Sequence, residues 1–200
     1  MGAVSSDPID VALLVAAAVT RAAGSYFVGG SLASSLQGEP RATNDIDLVV
    51  DLPVISVRDL VRELGGEFEV DVDMLRDAIL HQRSCNIFYL PTVIKIDLFA
   101  VGASEFDRME FSRRRAVQVR PDGTTLVLKS PEDTVLRKLL WYQAGGGVSD
   151  RQWRDVVQVI RVSGGIMDSD YLIEWANRIG VASLLHQALD DAGGLRDRNR

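Results

Sequence analysis

Apolar residues change their spacing repeatedly along the chain, and those changes mark out its elements. Asp7-Pro8-Ile9-Asp10 sets a capping acid, a proline suited to the first helical position and a second acid ahead of the apolar run Val11–Val19. A helix is expected to start there and end at Gly24. Tyr26-Phe27-Val28 reads as a short strand, Gly29-Gly30-Ser31 as a turn, and the stretch to Gln37 as a helix stopped by Gly38. Ile46–Val50 predicts a strand, Val57–Leu64 a helix ended by Gly65-Gly66, Phe68–Val72 a strand and Asp73–Gln82 a helix. Asn86–Leu90 and Val93–Val101 are β-rich runs split by Pro91, which predicts a hairpin. Val117–Arg120 and Thr125–Leu128 predict another around Pro121-Asp122-Gly123. From Ser130-Pro131-Glu132-Asp133 onward the period is helical, with Gly145-Gly146-Gly147 and Gly164-Gly165 as breaks and Ser149 and Asp168 or Ser169 as caps. The polar end Arg196–Arg200 is expected to fray. Strands and helices thus alternate over 1–129, and 130–200 form a helical C-terminal region expected to pack on that α/β core.

Composition narrows the class. The 200 residues suit about one domain, and 46% hydrophobic with 25% charged residues exclude a disordered or fibrous chain. Val11–Val19 is about half the ~20 residues of a membrane span, and Asp7 and Asp10 stand where a signal peptide would carry basic residues. A cytoplasmic location without membrane association is therefore expected. A net charge of −6 argues against coating nucleic acid by charge but leaves room for a local basic groove. The single cysteine, Cys85, forms no internal disulfide, and its apolar surroundings point to a buried strand thiol rather than a nucleophile.

The chemistry concentrates around the glycine turn. Thirteen residues separate Ser31 from Asp45-Ile46-Asp47-Leu48. On a strand, Asp45 and Asp47 project from one face while Ile46 and Leu48 enter the core, and two neighbouring acids need a cation. A hard divalent ion, Mg2+ or Mn2+, takes oxygen ligands and shares them with substrate phosphates. Glycines let a backbone approach phosphate closely, and Ser31 adds a hydroxyl. In Val93–Phe99, Ile94, Ile96 and Leu98 share one face and leave Lys95 and Asp97 on the other, so Asp97 is a third acid for in-line phosphoryl chemistry. Pairing with Lys95 is its plainer role. Asp71 and Asp73 form a rival pair, more simply a strand end and a helix cap.

This order of motifs resembles the DNA polymerase beta-type nucleotidyltransferase superfamily. Gly29-Gly30-Ser31, Arg41-x-Thr43-x-Asp45-Ile46-Asp47 and Ser130-Pro131-Glu132-Asp133 with Lys138 are similar to the minimal bacterial nucleotidyltransferases grouped with the AbiEii toxins of type IV toxin–antitoxin systems. The resemblance implies a mixed central sheet flanked by helices and transfer of a nucleoside monophosphate from an NTP. It implies metal-binding Asp45 and Asp47, Asp97 as a further ligand and base, and nucleotide contacts from Gly29, Gly30, Ser31, Arg41 and Lys138. The acceptor is left open among RNA such as tRNA, protein and small molecules, and an antitoxin protein becomes a candidate partner. A non-catalytic NTP- or partner-binding module of the same fold is the alternative.

Several residues carry a plainer account beside the functional one. Arg41 suits pairing with Glu39 or Asp45, and Lys138 a solvated position beside the stripe Val135, Leu136, Leu139 and Leu140. Arg113, Arg114 and Arg115, with Arg120 beyond, read either as a solvated strand end or as an acceptor groove. Trp141, Tyr142, Trp153 and Trp175 fit helix packing. Arg76-x4-His81 matches the spacing of HEPN ribonucleases, but those are all-helical and this segment lies among strands.

Overall fold

The computed structural model describes residues 7–193; the Arg196–Arg200 end lies outside them. The chain forms two compact units. One comprises the described residues up to Leu32 together with Thr43–Leu128, the other Ala33–Ala42 together with the described residues from Lys129 onward.

The first unit is built on a seven-stranded sheet. In chain order it contains α1 (Pro8–Arg21), β1 (Ser25–Val28), the start of α2 (Gly30–Gln37), β2 (Asp45–Asp51), α3 (Val57–Leu64), β3 (Phe68–Glu69) and α4 (Val72–Leu80). It continues with β4 (Ser84–Tyr89), β5 (Ile94–Ala100), α5 (Glu105–Ser112), β6 (Arg115–Gln118) and β7 (Thr125–Leu128). The strand order is β3-β4-β5-β2-β1-β7-β6. The sheet is mixed: β2 runs parallel to β5 and β1 parallel to β7, and the remaining neighbours are antiparallel.

Asp7 caps α1 by accepting from the Ile9 amide at 2.9 Å, and Pro8 fills the first position. The face carrying Ile46, Leu48, Val50, Ile87, Ile96 and Leu98 is closed to solvent, each of these at most 1% exposed. Burying one such side chain stabilises the fold by about 1.5–3 kcal/mol. Slipping β2 or β5 by one residue would expose the whole set, so this core fixes which side chains stand on the opposite face.

Three features depart from the sequence expectations. β3 covers only Phe68–Glu69, because Asp71, not Asp73, caps α4, its carboxylate accepting from the Asp73 and Met74 amides. Helix α5 was not expected, although Ser104 and Asp107 form a reciprocal capping box that marks its start. The turn between β4 and β5 holds Val93 at φ +55°, a left-handed conformation costly for a β-branched residue.

The second unit contains the end of α2 and four helices: α6 (Pro131–Ala144), α7 (Asp150–Ser163), α8 (Ser169–Arg178) and α9 (Ala182–Ala192). Ser130, Ser149 and Asp168 cap the first three through their side chains. Helix α6 packs on α7 and α8, and α7 packs on α9. Among the described residues no helix is long and apolar enough to cross a membrane.

Candidate active site

The buried core of the sheet places three carboxylates on its other face. Along β2 burial alternates, with Asp45 exposed, Ile46 buried, Asp47 half-buried and Leu48 buried. β5 alternates in step, so Asp45 stands opposite Lys95 and Asp47 opposite Asp97. Neighbouring strands lie about 4.8 Å apart, which makes Asp47 and Asp97 direct neighbours. The Lys95 ammonium donates to the Asp97 carboxylate at 2.9 Å. Its pKa is raised, first by that hydrogen bond and then by the charges of Asp97, Asp45 and Asp47, against an opposing burial effect. The face therefore favours positive charge.

The glycine turn is built against the same acids. The Gly29 amide donates to the Asp47 carbonyl at 2.8 Å, tying turn to strand. Gly30 opens α2 at φ +54°, and a β-carbon there would lie 2.5 Å from Asp47 Cγ, with Oδ2 nearer still. Only glycine fits: the backbone is left-handed and the space belongs to the Asp47 carboxylate.

As donors for Mg2+ or Mn2+ these residues fit in type and placement, since all are carboxylate oxygens on one face in register. Among the described residues, however, no three His, Cys, Asp or Glu side chains converge into a ready-made cation cage. Asp97 is held by Lys95 instead.

Arg41 and Lys138 belong to the second unit, and both bind Asp155. Its carboxylate accepts from Arg41 Nε at 2.9 Å and Nη2 at 2.8 Å, from Lys138 Nζ at 2.8 Å and from Ser34 Oγ at 3.4 Å. Arg41 thus takes Asp155 as an ion-pair partner, and Glu39 takes Arg154 at 3.0 Å. Lys138 is buried rather than solvated, and burial pushes its pKa down while the hydrogen bond to Asp155 opposes that. Burial pushes Asp155 up, but the hydrogen bonds from Arg41 and Lys138 outweigh it and bring the carboxyl below its ordinary value. Asp155 was missed from sequence; an acid four residues before Val159, on the buried stripe of α7, was the available signal.

The arginine run is largely engaged within the fold. Arg113 ends α5, Arg114 lies 4.0 Å over the Phe111 ring and donates to the Phe111 carbonyl, and Arg120 reaches Asp7 and Asp10 at 2.5 Å. Arg76 lies within α4, whose chain then enters the sheet. His81 caps the end of α4 and lies 2.8 Å from the Asp77 carboxylate, and α4 feeds strand β4 instead of joining an all-helical domain.

No protein-family model matches the sequence, and no curated protein matches it. Solved structures do. An antigenic nucleotidyltransferase-like protein from Paracoccidioides brasiliensis shares 20% identity over 94% of each chain at a TM-score of 0.55. The fold is nucleotidyltransferase-like. ANT(2")-Ia in complex with adenylyl-2"-tobramycin also matches in fold, with 11% identity over 86% of this chain and 96% of that one, at a TM-score of 0.51. At these identities the likeness establishes the fold.

Proposed function

We propose that this chain is a metal-dependent nucleotidyltransferase that moves a nucleoside monophosphate from an NTP to an acceptor hydroxyl. The observation that carries the reading is the register of Asp45, Asp47 and Asp97 on one sheet face, with Asp47 cradled by a glycine that admits no side chain. When bound, the divalent ion supplies charge neutralisation and alignment of the triphosphate. Asp45 and Asp47 hold it, and the Gly29-Gly30-Ser31 turn contacts phosphate oxygens at the start of α2. Asp97 exchanges Lys95 for the acceptor hydroxyl and takes its proton. The acceptor oxygen then bonds to the α-phosphorus, the α–β phosphoanhydride bond breaks, and pyrophosphate leaves.

Arg41 and Lys138 as nucleotide contacts rest on the sequence motifs alone. RNA such as tRNA, protein and small molecules are the acceptor classes, and the ANT(2")-Ia complex brings the small molecule forward. A role as a toxin paired with an antitoxin protein rests on the sequence motifs alone.

One observation favours the second reading, an NTP-binding module without turnover: Lys95 occupies Asp97. Two measurements separate the readings. Calorimetry of NTP binding with Mg2+ and with chelator should show metal-dependent affinity that Asp47→Asn abolishes; equal affinity in both conditions refutes the metal site. Labelled nucleotide transfer should fall by about 10²-fold or more in a folded Asp97→Asn protein, as expected when a general base is lost. Metal-coupled binding without transfer by the wild type selects the binding module.

A further inference from the structure

Beyond the three acids, the same sheet face continues onto β4. Antiparallel pairing puts Asn86 opposite Asp97 and Phe88 opposite Lys95, all on the face that carries Asp45 and Asp47. β3 pairs with β4 only at Tyr89 and Phe88, so at Asn86 the strand is the edge of the sheet. Asn86 is exposed and Phe88 half-buried, while Cys85, Ile87 and Tyr89 fill the core.

Asparagine is a poor strand residue, because its side chain competes for backbone partners and packs little apolar surface. Here it gains nothing in return: among the described residues the Asn86 carboxamide has no hydrogen-bond partner. Directly opposed residues of an antiparallel pair have β-carbons about 4.5–5.5 Å apart, so one ligand oxygen can reach both Asn86 and Asp97. A carboxamide donates and accepts at once, matching a pair of neighbouring hydroxyls. The Phe88 ring, two residues along the same face, offers an apolar surface to the carbon side of a ring.

We infer that Asn86 is an acceptor-orienting residue and that the acceptor presents a sugar hydroxyl, either a ribose of RNA or a free sugar or nucleoside. Asn86 holds the hydroxyl next to the reacting one, and Asp97 takes the proton from the latter. This rests on the nucleotidyltransferase reading above.

The test uses the full chain with labelled NTPs, with bulk tRNA as one acceptor probe and a pool of free nucleosides and monosaccharides as the other. Asn86→Ala should lower kcat/KM for the labelled probe by roughly tenfold through acceptor KM, the loss expected for one or two neutral hydrogen bonds. Mg2+·NTP affinity and Tm should stay at wild-type values, and Asn86→Ser should recover part of the loss. Whichever probe is labelled identifies the sugar's source. Unchanged kcat/KM in Asn86→Ala overturns the inference, as does an equal loss of NTP affinity. Wild-type protein that binds Mg2+·NTP but labels neither probe overturns it while leaving the metal–nucleotide site standing. Failure to bind Mg2+·NTP at all removes the nucleotidyltransferase reading itself.

Discussion

Replacing Gly30 with alanine tests the joint between the glycine turn and the acidic strand. Two costs follow from the structure. At φ +54° a side chain meets the left-handed penalty, about 1–2 kcal/mol. The new β-carbon would also lie 2.5 Å from Asp47 Cγ and 2.9 Å from its Cβ, against 3.4–4 Å for ordinary contact. Asp47 or the turn has to retreat, and forced repacking of this kind adds about 1–3 kcal/mol. Together these lower the melting temperature by roughly 4–20 °C in a chain of this size. The functional effect should be larger. A reacting group displaced on the ångström scale costs about 10²-fold in rate, so labelled nucleotide transfer should fall by about that factor, and Mg2+-dependent NTP affinity should fall with it.

Two glycines serve as controls. Gly65 has φ +73° but open space at its β-carbon, so Gly65→Ala isolates the backbone penalty; Gly66 meets nothing within 4 Å and should tolerate alanine. Thermal melts and calorimetry of the three variants separate strain from steric conflict. A Gly30→Ala protein with wild-type Mg2+·NTP affinity would show that Asp47's position beside Gly30 is irrelevant to the site.

Other outcomes follow from the same geometry. Asp155→Asn takes the carboxylate away from the buried Lys138 and should cost about 3–5 kcal/mol, because Lys138 is 5% exposed and Asp155 8%. The folded-state carboxyl of Asp155 sits below its ordinary value, so its contribution is present at neutral pH and disappears as pH falls through that lowered value. Acid melts should therefore be steeper for the wild type than for Asp155→Asn, and parallel acid slopes would contradict the assignment. Val93→Asn should stabilise the protein by about 0.5–1 kcal/mol, because asparagine tolerates the left-handed conformation and Val93, 77% exposed, buries little. A lower Tm in that variant would show that the turn uses the valine side chain.

Much of the candidate site's geometry could be read along the chain because its logic is local. Alternation on a strand decides that Asp45 and Asp47 share a face, and the apolar partners Ile46 and Leu48 decide which face that is. The same reasoning separates Lys95 and Asp97 from Ile94, Ile96 and Leu98. Capping chemistry located the starts of α1, α6, α7 and α8, since a side-chain oxygen and a proline act within one turn. Asp71 shows where local reading ran short: strand end and helix cap compete for the same residues, and the cap prevailed by satisfying two amides. What required the fold is everything set by pairing between distant segments. The sequence holds no statement that Asp47, Asp97 and Asn86 lie in one row, because register depends on how three strands bury their common core. Nor could it choose a partner for Arg41, whose nearest acids in sequence were Glu39 and Asp45; only the packing of α7 brings Asp155 to it. That carboxylate also explains why Lys138 is buried, since a lysine leaves water only where an anion compensates it.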